Sequence, residues 1–482
     1  MILAVDQGTT STRALLVSDV GEVTPLLSLP HKQHYPQAGW VEHDPLELLA
    51  NIKACIQAGV DTGAVAVGLA NQGESCLGWD ARTGEPVGPV IVWQDMRTSD
   101  VTAHLTADGM ADMVLHRAGL PLDPYFSATK LAWILANVPE AQKLAASGHL
   151  RLGTTDAWFR DRLTGRFETD VTTASRTSLM AIDSCTWDAD LCALFGVPIA
   201  CLPRITPTTG MLGDTHELPR DLPHDLPLCA SVTDQQAALY GHGGHAPGHA
   251  KITFGTGAFA LAVTGPLVRT QGVLPTLGWQ LEGATSVYAL DGGVYAAASA
   301  VNWARGLGLF EDYSQINQFE GRAIERGLAF VPALAGLACP HWDRSARGAW
   351  MGLGLDTTPA DMMQALLEGV ALRAGEVMAA MGTATNLSGP IAIDGGMTAN
   401  PYFCQFLTDV LGRPTRRSDE AERTALGTAA LAAHGIGLSI SLPQEGETLS
   451  PQPMHDDVRN RFKQARNAVS AFGQAAPRSV SQ

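Results

Sequence analysis

The stretch "ILAVDQGTTSTRALLV", residues 2 to 17, decides how the rest of the chain is read. Ile2 to Val5 is apolar, Asp6 to Thr12 is polar and small, and Ala14 to Val17 is apolar again. Short apolar runs separated by a Gly-Thr turn predict strand, tight turn, strand. The same grammar returns downstream, where Ile252 to Phe254 leads into Gly255-Thr256-Gly257 and then Ala258 to Val263. Two such hairpins about half a chain apart predict an internal duplication.

Helical patterns lie around these hairpins. Ser127 to Asn137 has apolar residues at helical spacing and meets Pro139. Pro359 to Met381 reads as one long amphipathic helix, with Thr358 as cap and Pro359 as first helical residue. Ile391 to Ile393 is a short buried strand that opens into Asp394-Gly-Gly-Met-Thr-Ala-Asn-Pro, and a helix follows from Tyr402 to Leu411. Strands alternating with helices give α/β class. Leu202 to Leu228, rich in Pro, Asp, His and Gly, is expected to loop over the surface, and the end from about Ala475 to fray.

The chain has 482 residues, more than one hydrophobic core usually supports, so two domains are expected. With 45% hydrophobic and 17% charged residues the composition is globular. A formal net charge of −16 disfavours nucleic acid and anionic membrane surfaces as partners. A small anionic substrate stays possible if Arg, backbone amides or Mg²⁺ receive it. Cysteines at 55, 76, 185, 192, 201, 229, 339 and 404 form no C-x-x-C pair. Reduced thiols in a cytoplasmic protein are the expectation. Met1-Ile-Leu-Ala-Val-Asp enters a strand at once and does not resemble a signal peptide, and no apolar run approaches the roughly 20 residues that span a bilayer.

Four small polar turns follow apolar runs: Asp6–Arg13, Gly255–Gly257, Gly292–Gly293 and Asp394–Asn400. Glycines let backbone amides approach a ligand, hydroxyls add donors, and an Asp at the first turn can hold Mg²⁺. No Walker sequence is present. One Gly-rich turn is usually only a turn; four in this order describe a nucleotide site. In "SVTDQQAA", residues 231 to 238, Asp234 ends a strand and opens a helix. It reads either as a helix cap or as the carboxylate that accepts a proton from an attacking hydroxyl.

Eight segments then run in order: "DQGTTSTRALLV" (6–17), "HYPQAGWVEHDP" (34–45), "VWQDMRTSD" (92–100), "DPYFSATKLAWIL" (123–135), "TDQQAALYGH" (233–242), "FGTGAF" (254–259), "VPALAGLACPHWDRSARG" (331–348) and "DGGMTANPYFCQFLTDVLGRP" (394–414). Together they resemble the FGGY carbohydrate kinases, and most of all the glycerol kinase branch. The resemblance covers roughly residues 1 to 437. It implies two ribonuclease-H-like domains of the actin, hexokinase and heat-shock-chaperone type with the active site in the cleft between them. The expected division is 1–242, 243–474 and a flexible tail at 475–482.

The resemblance also implies roles. Asp6 matches the residue that positions Mg²⁺. Thr9, Thr10, Ser11 and Arg13 match the hairpin that cradles nucleotide phosphates, and Thr256 and Gly257 the second phosphate hairpin. Gly396 and Asn400 match the loop over the adenosine. The family's nucleotide-contacting Gly and Gln after "YALDGG" fall on Ala298 and Asn302, so that pair departs from the pattern while leaving a small residue and an amide. Asp234 matches the catalytic base, with Gln235 beside it. Tyr125 matches a substrate hydrogen-bonding residue, and Trp93 and Phe259 match apolar walls. ATP and Mg²⁺ are the implied cofactors, a small polyol or sugar the implied substrate, and a homodimer or higher homo-oligomer the implied assembly.

One departure bears on the substrate. In "VAVGLANQGESCLGWD", residues 65 to 80, an apolar run stops at Asn71-Gln72-Gly73-Glu74-Ser75. Glycerol kinases carry Arg-Glu-Thr at this tip, where Arg and Glu grip substrate hydroxyls. Here Glu74 is kept and Gly73 stands in place of the Arg. Gly73 offers no donor and frees the volume of a long side chain. Either the space takes extra carbons of a polyol or sugar larger than glycerol, the reading expected here, or water or another side chain fills it and glycerol remains the substrate. Two rival classes share the fold: an actin- or chaperone-like ATPase, which has no need of Glu74, Tyr125 and Asp234, and a pseudokinase, against which intact Asp6, Arg13, Thr256 and Asp234 argue.

Overall fold

The computed structural model describes residues 1–60, 62–214, 226–418, 422–444 and 446–475. The opening stretch forms the predicted hairpin, β1 (Ile2–Gln7) and β2 (Ser11–Val17). It sits in a six-stranded sheet of order β6-β7-β4-β1-β2-β3, with β3 Val23–Pro30, β4 Val67–Asn71, β6 Thr209–Asp214 and β7 Pro227–Thr233. The outer strands β2, β3 and β6 run antiparallel to their neighbours, while β1, β4 and β7 run parallel to one another. The second sheet repeats this plan. In order it reads β10-β11-β9-β8-β12-β13-β14: β8 Ala250–Phe254, β9 Ala258–Gly265, β10 Leu274–Trp279, β11 Val287–Val294, β12 Ile391–Asp394, β13 Thr415–Ser418 and β14 Gly446–Leu449. Again a hairpin, β8 and β9, leads, and β8, β12 and β13 are the parallel trio. The duplication read from the two Gly-Thr hairpins is therefore a duplication of whole sheets.

Every residue of β1 is buried because the sheet is covered on both faces. Leu3 and Val5 pack with Leu48, Ile52 and Ile56 of α1 (Pro45–Val60). Ile2 and Ala4 pack on the other side with Ala425, Leu426 and Ala429 of α7 (Arg423–Gly435). Helix α7 comes from the C-terminal half of the sequence, yet it covers the N-terminal sheet. It also crosses α3 (Asp234–Gly241) at glycines: a Cβ on Gly427 would stand 1.8 Å from the Ala237 carbonyl oxygen, and one on Gly241 2.1 Å from that of Arg423. Neither backbone can yield without separating the helices. Gly427→Ala should therefore destabilise the protein by about 3 kcal/mol, visible as a thermal unfolding midpoint several degrees lower; an unchanged midpoint would refute this account of the crossing.

The predicted helices stand where the sequence places them. Helix α2 spans Ser127–Asn137 and α6 spans Pro401–Leu411. Helix α5 spans Pro359–Gly382, its Thr358 hydroxyl accepting from the Asp361 amide while the Asp361 carboxylate accepts from the Thr358 amide. Leu202 to Leu228 differs from expectation. Its described part holds a short strand, Arg204–Thr206, and β6, whose Gly210 and Gly213 adopt positive φ. Glycine-rich edge strands carry no alternating apolar signal. The expected tail lies outside the described residues beyond Ala475, which ends helix α8 (Val458–Ala475). All eight cysteines are free, and no helix among the described residues is long and apolar enough to cross a membrane.

Candidate active site

Strand β4 belongs to the first sheet, but β5 (Cys76–Asp80) belongs to a separate four-stranded sheet. The tip 72–75 crosses between the two, which delivers Glu74 into the interior. Gly73, Glu74, Tyr125, Asp234, Gln235 and Phe259 all line one cavity between the two halves of the chain, joined there by Arg176, Gln236, Leu261 and Asp291. Trp93 does not line it. Its indole N–H donates to the Thr9 hydroxyl at 3.1 Å, and its ring packs edge-on against Tyr125 at 5.4 Å. It braces Tyr125 and the first hairpin.

Arg176 is the residue the sequence reading missed. It follows the short helix Val171–Ala174 and is buried, 8% exposed. Its Nε donates to Glu74 Oε1 at 2.7 Å and its Nη1 to Asp291 Oδ2 at 2.9 Å. Among the described residues its Nη2 has no protein acceptor. Burial opposes the guanidinium charge, but Glu74 and Asp291 hold its pKa above the ordinary arginine value. A Cβ on Gly73 would meet Thr233 Cγ2 at 3.3 Å and Arg176 Cγ at 3.4 Å. A second side chain thus stands against Gly73, and it carries the donors that Gly73 lacks. The available signal was a lone charge in the otherwise neutral run Val171 to Leu179.

Asp234 is the first residue of α3, and Thr233 occupies the capping position. The Asp234 carboxylate accepts the Gln235 amide at 2.6 Å. Burial, then the negative charges of Asp6 and Glu74, push its pKa up to about 7. Lys251, fully buried on β8, donates to Gln235 Oε1 at 2.7 Å and to the Thr253 hydroxyl at 2.8 Å. Burial lowers the Lys251 pKa, while Asp394 and Asp234 favour its charge. Asp394 in turn pairs with His242 at 2.6 Å. Burial pushes Tyr125 well above the ordinary tyrosine value, and Glu74 adds to it, so its hydroxyl stays a donor.

The first hairpin presents Thr9, Thr10 and Ser11 at its tip, with Thr10 exposed. Arg13, opposite Asp6 in register, bonds Asp6 Oδ2 and Glu422 Oε1, both at 2.7 Å. At the second hairpin Thr256 is exposed, and a Cβ on Gly257 would stand 2.7 Å from the Val294 carbonyl oxygen, so only glycine fits. The Thr256 carbonyl accepts the Ala297 and Ser299 amides, which ties the tip to the start of α4 (Ala298–Gly306). Beyond it lies a cavity of about 460 Å³ lined by Ala298, Asn302, Gly396 and Asn400 together with Ile316 and Leu367. The two residues expected in the adenosine loop, Gly396 and Asn400, and the nucleotide-contacting positions Ala298 and Asn302 thus line one cavity. The side chain of Asn400 is already committed, accepting from the Phe403 amide at 2.9 Å and donating to the Ile316 carbonyl at 2.8 Å. It shapes the cavity by capping α6, while Gly396 leaves its backbone open.

A cleft with one cavity sized for an aromatic base, a second holding a carboxylate near neutral pKa, and two hydroxyl-rich hairpins is the layout of a phosphotransferase. Sequence comparison decides the family. The profile of the FGGY family of carbohydrate kinases, N-terminal domain, matches residues 1–241, and that of its C-terminal domain matches residues 250–436. The chain belongs to the FGGY family of carbohydrate kinases. It is therefore an ATP-dependent kinase of two-domain α/β fold. Among curated FGGY kinases it is 42% identical to a glycerol kinase of Alkalilimnicola ehrlichii, over 98% of each chain. It is 44% identical to a glycerol kinase of Thermus brockianus, over 90% of each. Among solved structures, Plasmodium falciparum glycerol kinase with ADP superposes with a TM-score of 0.89 at 29% identity, covering 99% of this chain and 98% of that one. A Rhodospirillum rubrum xylulose kinase gives 0.83 at 25% identity, over 98% of each.

Proposed function

We propose that this kinase transfers the γ-phosphoryl group of ATP to a hydroxyl of a small acyclic polyol, with glycerol as the substrate. The observation that carries this is the Arg176 guanidinium beside Glu74, supplying hydroxyl donors in a cavity that Gly73 would otherwise leave short of them. The glycerol kinase names of relatives at 42% and 44% identity agree with it.

In this reading Glu74, Tyr125 and Arg176 Nη2 orient the polyol, and Phe259 packs on its carbons. Asp234 accepts the proton of the attacking hydroxyl, which a carboxylate of pKa about 7 can do near neutral pH. Gln235, held by Lys251, steadies the polyol end nearest Asp234. Arg13 and the amides and hydroxyls of the two hairpins receive the transferring phosphoryl group. The residues fit a Mg²⁺ that arrives with the nucleotide: Asp6 offers one carboxylate with a free oxygen beside Asp234, and no cluster of three acidic, His or Cys ligands exists among the described residues. Mg²⁺ takes just one or two protein carboxylates when phosphates and water complete its shell, and it would neutralise phosphate charge there.

A second reading is favoured by an adjoining cavity on the far side of Arg176, walled by Phe126, Leu274 and Trp342. It could take the distal carbons of a tetritol, pentitol or ketose. ADP release measured over glycerol, erythritol, threitol, the pentitols, xylulose and ribulose, with Asp234→Asn as blank, separates the two. Glycerol should lead with kcat/KM of about 10⁴ M⁻¹s⁻¹ or more; a leading four- or five-carbon compound would transfer the assignment to the second reading. ATP turnover that ignores added alcohols would remove both. Gly73→Arg should crowd Arg176 and cut kcat/KM for glycerol about tenfold, whereas a gain for glycerol would mean that Arg176 does not do the missing arginine's work.

A further inference from the structure

A depression of about 330 Å³ lies behind the second sheet, sharing no lining residue with the two cavities above. Met378 of α5, Leu387, Ile391 and Leu411 at the end of α6 give it apolar walls, and Asn386, Arg413 and Arg459 are its polar lining. Among the described residues no carboxylate lines it. Its volume is in the range of small-molecule sites.

The two arginines differ in what they do. Arg459 Nη2 donates to the Val410 carbonyl at 2.7 Å, so it caps the C-terminal end of α6. Arg413 has no such employment. Its Nη1 is buried without an acceptor, and no hydrogen bond or ion pair engages the side chain among the described residues. Three other arginines also bury one guanidinium nitrogen without an acceptor: Arg97, Arg160 and Arg373. Each of those is paired with a carboxylate, Arg97 with Glu42 and Asp95, Arg160 with Glu168, and Arg373 with Glu376. Among the described residues Arg413 alone of the four has none. Arg413 is only partly exposed, and the buried end of its guanidinium has no counter-charge among the described residues, although in a chain of net charge −16 acidic side chains to pair with it are plentiful. Its pairing partner is missing beside a cavity whose other cation is Arg459.

We propose that this pocket binds a small phosphate monoester, its phosphate oxygens accepting from Arg413 and Arg459 and its organic part lying on Met378, Leu387, Ile391 and Leu411. Guanidinium groups favour phosphate because their planar fork donates to two oxygens at once. The site is separate from the adenosine cavity, which takes Asn400 at the other end of the 11-residue α6, about 16 Å of helix away.

Calorimetric titration tests this on the full chain, with saturating ADP and Mg²⁺ to occupy the phosphate hairpins and constant ionic strength throughout. Phenyl phosphate should bind saturably and about tenfold more tightly than inorganic phosphate, since the ring buries apolar surface the bare ion lacks. Phenol should bind far more weakly than either ester or ion. Arg413→Gln and Arg459→Gln should each weaken phenyl phosphate about tenfold or more, with ADP affinity unchanged. Arg413→Lys should retain part of the binding and covers the case that Arg413→Gln fails to fold. No saturable binding of phenyl phosphate, equal binding by phenol, or undiminished binding in the Gln variants would each overturn the proposal.

Discussion

Asp234→Asn should lower kcat for the best polyol by roughly 10²- to 10⁴-fold, the range a positioned general base supplies, while the affinity for ATP stays within about twofold. The amide keeps the shape and the contact with the Gln235 backbone N–H but cannot take a proton. The wild-type enzyme should show kcat/KM rising with pH and levelling above about pH 7, because the carboxylate must be ionised to act and its pKa is about 7. The rising limb should vanish in Asp234→Asn. Stability gives an independent check with a definite sign. The folded pKa lies above the ordinary 3.8, so ionising Asp234 weakens the fold as pH rises from about 3.8 to about 7. At pH 8 the Asn variant should therefore be at least as stable as wild type. Near-normal turnover would remove Asp234 as the base, and a lower midpoint at pH 8 would contradict the electrostatic account of its environment.

Arg176→Lys should reduce kcat/KM for the polyol by roughly 30- to 150-fold, the worth of one charge-assisted hydrogen bond of about 2–3 kcal/mol. Lysine keeps the charge between Glu74 and Asp291 but loses the fork that leaves Nη2 directed at a ligand. ATP affinity and the thermal midpoint should change little. Arg176→Leu should behave differently, costing about 3–5 kcal/mol of stability because Glu74 and Asp291 would be left with uncompensated charge. If Lys and Leu are equally destabilising and kinetically alike, Arg176 is a structural ion-pair partner only, and the cavity has no substitute for the arginine absent at 73.

Residues whose geometry is set locally were legible. The two Gly-Thr tips, the Thr358 cap and the Pro359 start follow from turn and cap chemistry within a few residues, and the strands and helices they bound appear where expected. The family resemblance implied site roles for Glu74, Tyr125, Asp234, Gln235 and Phe259, and one cavity gathers them. What the sequence hid is relational. Nothing near Arg176 says that it reaches Glu74 across 102 positions, or that its aliphatic stem would stand against Gly73. Gly427 is an unremarkable glycine in an Ala-rich helix until Ala237 is seen beneath it. Strand β6 was missed because its glycines serve close approach, with Glu282 against Gly210 and Thr164 against Gly213, and so carry no hydrophobic period.

The covering of the N-terminal sheet by α7 has a consequence for biosynthesis. When residue 242 leaves the ribosome, the face of β1 and β2 carrying Ile2, Ala4, Leu15 and Val17 still lacks Ala425, Leu426 and Ala429. Roughly 180 further residues must be made before α7 emerges, about 10–40 s at ordinary elongation rates. Throughout that interval the nascent chain shows an apolar sheet face to its surroundings, a surface suited to a holding chaperone. The first half of this kinase is thus completed by nearly the last helix to be translated, and a chain truncated ahead of residue 423 would expose that face permanently.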